Sequence, residues 1–357
     1  MTSSPGERSI EARGIINLFI VYLVWGSTYL AIRIAVRPGA GIPPFTLGMV
    51  RIIIAGILML LVSALRRSPM RPTRKELAVL ACSGVLLWTG GNGMVNWAEQ
   101  RIDSSLAALV IATIPLWMVL LESILDRKIP SYGLILSLIV GFAGTALLSA
   151  TTLQTGDMGD IASLLALVLA SISWTVGSLL QSRMPVSLSI EASAGYQQIF
   201  GGLGFLVLVL LTGEPRPTPT TDAWLAWGYL ILFGSVIAFT AYVRILQILP
   251  MSVAMTYAYV NPVIAVILGA AILSEPLHPT TLIGAVFVLL GVAGVFSRQE
   301  QVEISRCGIV MRRTTSTTAH KEPWCSLRLN FPILMPTSRV EAAVRPPRVL
   351  PFSLARH

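Results

Sequence analysis

Arg51 stands seven residues inside an apolar stretch that runs from Pro44 to Leu65, and it is the one charged residue there. Another apolar stretch, 77–98, carries Asn92 and Asn96 near its end, with Glu99 just beyond. Residues four apart share a helix face, so Asn92, Asn96 and Glu99 form one polar stripe. Tyr257 and Asn261 repeat that spacing directly before Pro262, whose ring frees the carbonyl of Ala258 for another partner; Pro115 does the same for Ile111. Trp25 and Trp174 place an indole N–H within two further apolar stretches. These groups offer hydrogen bonds, one cation and aromatic faces, which is the chemistry of recognising a small solute. Covalent chemistry has less to work with. The only histidines are His278, His320 and His357; there is no metal-ligand spacing, and none of Lys75, Lys128 and Lys321 sits in a phosphate-binding Gly-Lys-Ser/Thr context. An enzyme and any cofactor or bound metal are therefore not expected.

The elements that must position these residues follow from composition. Of 357 residues, 54% are hydrophobic and 12% charged, about half the ~25% usual in soluble domains. Uncharged runs at 14–32, 77–98, 131–156, 161–182, 192–213, 223–243, 245–274 and 276–297 are near or above the ~20 residues that cross a bilayer. Adding 44–65 and 104–125 gives an all-α polytopic membrane protein with ten expected transmembrane helices, at about 14–36, 44–65, 77–98, 104–125, 131–150, 160–182, 191–212, 223–243, 252–273 and 279–297. The same composition excludes a soluble enzyme, a disordered chain and a disulfide scaffold, since the cysteines are only Cys82, Cys307 and Cys325. Cys82 falls in an apolar run and reads as packing. The formal charge of +9 divides into +3 for residues 1–296 and +6 for 297–357, so it belongs mostly to the tail and does not point to nucleic acid. The expected partners are the lipid bilayer and a small-molecule substrate; self-association into a homo-oligomer stays open.

Lys and Arg collect at Arg8 and Arg13, Arg66 to Lys75, Arg127 and Lys128, Arg183, Arg244 and Arg298, while the alternate loops hold Arg37, Arg101 and Arg216. Positive loops are retained in the cytoplasm, which places both termini there. The first apolar run reads as an uncleaved helix.

The two halves repeat. Trp25 matches Trp174 at an offset of 149, Gly48 to Ile52 matches Gly195 to Ile199 at 147, Ala107 and Pro115 match Ala254 and Pro262 at 147, Pro130 matches Pro279 at 149, and Gly141 to Gly144 matches Gly291 to Gly294 at 150. Five helices per unit is an odd number, so the second unit, 160–297, is expected upside down relative to the first, 14–150. Inverted repeats of this kind serve alternating access, with substrate near the midplane. Residues 298–357 show no such pattern and are expected to form a disordered cytoplasmic tail.

Trp25-Gly26-Ser27-Thr28-Tyr29-Leu30-Ala31-Ile32-Arg33, Pro43-Pro44-Phe45 leading to Arg51, the Pro115 helix, Gly141-Phe142-Ala143-Gly144, and Tyr257 to Pro262 running on to Glu275 resemble the EamA-type branch of the drug/metabolite transporter superfamily. The resemblance covers about residues 14–297. It implies a ten-helix carrier of the bacterial inner membrane that exports small metabolites, amino acids among them. Glu275 stands where that family commonly has Glu; the first repeat has Asp126 there, with altered spacing.

Substrate is expected between the halves, on Trp25, Asn92, Asn96, Trp174, Tyr257 and Asn261. For each of these, interhelical hydrogen bonding or packing is the competing reading. Arg51 and Arg33 suit a substrate carboxylate, pairing with an embedded acid, or a structural role, as a brace or by snorkelling to the interface. Of the carboxylates Glu99, Glu122, Glu191 and Glu275, Glu99 is the candidate for proton coupling, because it extends the Asn92 stripe and is expected to open toward outer water with Arg101 at hand. Glu275, at the boundary, suits a structural pairing. A channel or a lipid flippase is the alternative to a carrier.

Overall fold

The computed structural model describes residues 5–294 except 128, 130, 156 and 250–255, so the tail 298–357 and Ala254 lie outside the described residues. The described chain is helical. Its elements are α1 (Pro5–Val36), α2 (Pro44–Leu65), α3 (Arg74–Ala98), α4 (Ser104–Leu125), α5 (Tyr132–Thr155), α6 (Met158–Arg183), α7 (Ile190–Thr212), α8 (Thr221–Ile245), α9 (Tyr257–Leu273) and α10 (Pro279–Gly294). Among the described residues, seven helices are long and apolar enough to cross a membrane: all but α5, α9 and α10, whose apolar parts, Tyr132–Leu147, Val260–Leu273 and Pro279–Gly294, are shorter. Each stands where a span is expected.

Local sequence sets the helix ends. Thr73 and Glu76 form a reciprocal capping box at the start of α3, Asp157 accepts from Gly159 and Asp160 N–H groups at the start of α6, and Ser189 and Thr220 cap α7 and α8. Gly213, at φ 62°, ends α7 in the left-handed region that favours glycine. Pro115 breaks α4 into Ser104–Ile111 and Ile114–Leu125, with Thr113 Oγ1 donating to Val110 O at 2.7 Å. Two helices widen instead of breaking: Val85–Asn92 of α3 and Leu230–Ile237 of α8 are π-helical. Such segments are rare and concentrate at functional sites.

The outside is apolar. Leu23, Leu61, Leu165, Leu210, Ile267 and Leu290 are all exposed, a surface that water would not tolerate over a whole bundle but lipid does. Cys82 is exposed on that surface, not packed inside as its apolar run suggests; an apolar run only says that both lipid and core are acceptable. Inside, α2 packs along α7 through small residues: a Cβ on Gly56 would lie 3.0 Å from Gly195 O. The α5 and α10 glycines touch likewise, since a Cβ on Gly291 would lie 2.5 Å from Gly141 Cα.

Connections gather at two ends. One end joins Thr218 N–H to Gly41 O, Glu214 to the start of α2 and Arg101 to Asp157 and Asp160. The other joins Ser189 N–H to Pro69 O, Arg66 to Glu191 at 2.8 Å and Arg183 to Asp126 at 2.8 Å. Asp126 is thus an ion-pair partner, and Glu191, also 3.5 Å from Arg244, is held by two cations.

Candidate functional site

A cavity opens between α1, α2, α3, α4, α6 and α9, of which about 60 Å³ admits the centre of a water molecule. That is several times the ~10–15 Å³ needed by one water. Of the residues singled out in sequence, Trp25, Asn92, Trp174, Tyr257 and Asn261 all line it, with Arg51 beside them. They come from both halves of the chain.

Its floor is aromatic. Trp25 lies with ring centroids 5.7 Å from Trp174, 4.8 Å from Tyr242 and 5.4 Å from Tyr257, and its Nε1 donates to Gly234 O at 3.2 Å, inside the π segment of α8. With its amide turned to donate, Asn261 reaches Tyr257 O and Tyr22 O at 3.2 Å each, tying α9 to α1. The carbonyl engaged is thus that of Tyr257.

Arg51 forms one wall and is 2% exposed. Its Nε donates to Ser235 Oγ at 2.7 Å and Nη1 to Asn92 Oδ1 at 3.2 Å, so the guanidinium bridges the two π segments. Its carbon stands 5.7 Å from the centroid of Trp88. No carboxylate comes within 4 Å of Arg51 among the described residues.

Asn96 departs from the expected set: it is fully buried, does not line the cavity, and donates to Pro44 O at 3.3 Å. One turn beyond Asn92, the first residue of α2 covers the stripe. Glu99 departs too. It was expected to open toward water, yet its exposure is 0%, and neither carboxylate oxygen has a hydrogen-bond partner. Arg101 turns away to Asp157 and Asp160; Arg33 instead donates to the Glu99 carbonyl at 2.5 Å and lies 3.6 Å from Asp103. Burial pushes the Glu99 carboxyl well above the usual range, outweighing the pull of the Arg33 cation. Asp103 is raised for the same reason.

Glu275 is a helix cap. Its Oε1 accepts from Ser104 N and Oγ at 2.9 and 2.7 Å, and its Oε2 from Ser105 N and Oγ at 3.0 and 2.7 Å, closing the N-terminus of α4. Glu214 treats α2 alike, accepting from the Phe45 and Thr46 N–H groups at 2.9 and 2.7 Å.

Sequence reading missed Trp88, Tyr29, Tyr242 and Ser235. Trp88 had a signal, since it precedes Asn92 by four residues on the same stripe; Ser235 had none. Among the described residues no three His, Cys, Asp or Glu side chains gather as a metal site.

The model of the EamA-like transporter family matches residues 12–150 and 161–297. The chain is 38% identical over 266 residues to the uncharacterized inner membrane transporter YedA of Escherichia coli K12, covering 73% of this chain and 83% of that protein. It is 24% identical over 315 residues to the uncharacterized transporter sll0355 of Synechocystis, covering 84% of this chain and 94% of the relative. A solved crystal structure, 21% identical, superposes with a TM-score of 0.58 over 82% of this chain and 99% of its own, a likeness of fold.

Proposed function

The chain belongs to the EamA-like transporter family, and from that premise we propose that it is a ten-span secondary carrier of the bacterial inner membrane, built from two inverted five-helix repeats, that exports small metabolites by alternating access. The observation that carries this reading is the cavity itself, which takes Trp25, Arg51 and Asn92 from the first half and Trp174, Tyr257 and Asn261 from the second. A site shared by two halves can be opened to either side by rocking one against the other. The matched π segments, one in α3 and one in α8, support the repeat, and both touch Arg51. An aromatic floor and a few polar groups suit a discrete site more than a continuous polar pore. Glu99, buried and with no hydrogen bond to its carboxylate, is proposed as the proton-binding group, with Arg33, Arg51 and Glu275 as the charges acting on it.

Untargeted metabolomics on cells overexpressing the chain should reveal a metabolite whose outward flux rises. That compound should then show saturable counterflow in proteoliposomes; flux that never saturates would favour a channel. Cysteines placed singly at Ser68 and Thr218 should label from opposite faces, Ser68 from the cytoplasm. Labelling from one face would end the inverted-repeat reading.

A further inference from the structure

The charge balance of the cavity goes further than its shape. Among the described residues its lining includes one cation, Arg51, and no Asp or Glu. Beside that cation Trp88 Nε1 is a buried donor without a hydrogen-bond partner, and the Trp174 indole and the Tyr257 hydroxyl meet each other and Tyr242. An indole N–H can only donate. Arg51 itself spends Nε and Nη1 on the neutral oxygens of Ser235 and Asn92, which satisfy two N–H groups but cancel no charge. Glu99, the acid that acts on Arg51, lies outside the lining and beyond 4 Å, and a buried cation without an anion in contact is costly at membrane depth. Among the described residues the lining therefore brings no carboxylate into contact with Arg51, and a ligand that carries one completes the site.

We propose that the site takes organic carboxylates with an aromatic or apolar body and without a free ammonium group, the carboxylate lying against Arg51 and the body on the aromatic floor. This rests on the carrier reading and narrows it. A zwitterionic amino acid would bring an ammonium group that needs an anion or several acceptors, and the lining provides no carboxylate for it. The face of Trp25 or Trp174 offers a cation some attraction, but less than a desolvated ion pair requires. An amine without a carboxylate would set two cations against each other. Guanidinium geometry suits a carboxylate in particular, since parallel N–H groups can meet both oxygens.

Intrinsic tryptophan fluorescence tests this, because Trp25, Trp88 and Trp174 all border the cavity. The purified full chain in detergent would be titrated with phenylacetate, phenylalanine and phenethylamine, which share one ring and differ in charge. The expected result is a fluorescence change by phenylacetate at a midpoint at least tenfold below those of the other two. Arg51→Gln should abolish that preference, and Arg51→Lys, which retains the charge without the fork, should keep a reduced one and serves if the Gln form does not fold. Equal midpoints, tighter binding of phenylalanine or phenethylamine, no response to any of the three, or a preference unchanged in Arg51→Gln would each overturn the inference. Counterflow separates this from the carrier reading: a zwitterion or amine that counterflows keeps the carrier and removes the anion site. Carboxylate binding without counterflow of any carboxylate does the reverse.

Discussion

Glu275 and Glu99 are buried at the same end of the bundle and are held in opposite ways. Four donors from Ser104 and Ser105 surround the Glu275 carboxylate, two of them backbone N–H groups at a helix start. No donor meets the Glu99 carboxylate, although Arg33 passes close enough to bond its carbonyl. The difference teaches that burial alone does not assign a role to an acid. Charge that is fully hydrogen-bonded is structural, and its removal leaves donors stranded. Charge that is buried and unbonded is unstable as an ion, and so is ready to take a proton.

The contrast is broken most strongly at Glu275. Glu275→Leu should lower the stability of the detergent-solubilised protein by about 3–5 kcal/mol, as when one partner of a buried charged network is removed. Thermal unfolding with loss of membrane abundance is the readout, and an unchanged midpoint would remove the cap from this account.

Glu99→Gln should act the other way on stability and on pH. Because the folded protein holds the Glu99 proton more tightly than the unfolded chain does, the folded state binds more protons between the ordinary carboxylate range and the raised titration of Glu99. Stability contributed by this group is then lost as pH rises through that window. The Gln form should lack that slope and match or exceed the unaltered protein at neutral pH. It should also lose transport driven by an imposed pH gradient in proteoliposomes. Equal gradient-driven flux in both forms would release Glu99 from coupling.

The smallest effect is expected at the rim. Arg101 meets Asp157 at 3.1 Å and Asp160 at 3.4 Å with half of its side chain exposed, so Arg101→Ala should cost about 0–1 kcal/mol in thermal unfolding. A large loss there would mean that the end is held by surface charge and not by the Glu275 and Glu214 caps.

Much of this bundle is legible in sequence because a bilayer demands length and apolarity, which need no knowledge of partners. The cavity residues Trp25, Asn92, Trp174, Tyr257 and Asn261 could be picked out because polar and indole groups inside apolar runs are expensive and therefore rare. The caps could not. Glu275 and Ser104 are 171 positions apart, and Glu214 and Phe45 169, so their meeting is set by packing. Asn96 and Glu99 show the limit of face arithmetic: spacing places them on the Asn92 stripe, but only the packed bundle shows that α2 covers one and that burial closes over the other. The two π segments were likewise hidden, since Val85–Asn92 and Leu230–Ile237 are composed like any apolar helix.

The central claim is that solute passes through the cavity shared by the two halves, and Asn261→Leu tests it most directly. Asn261 lines that cavity and is 4% exposed, and a site that recognises solute by hydrogen bonds loses its discrimination when a partner is removed. Outward flux of the metabolite raised by the unaltered chain should be measured in cells that hold equal amounts of the two proteins in the membrane, with matching thermal unfolding. The account predicts that flux in the Asn261→Leu cells falls to that of cells without the protein; flux equal to that of the unaltered chain would contradict it.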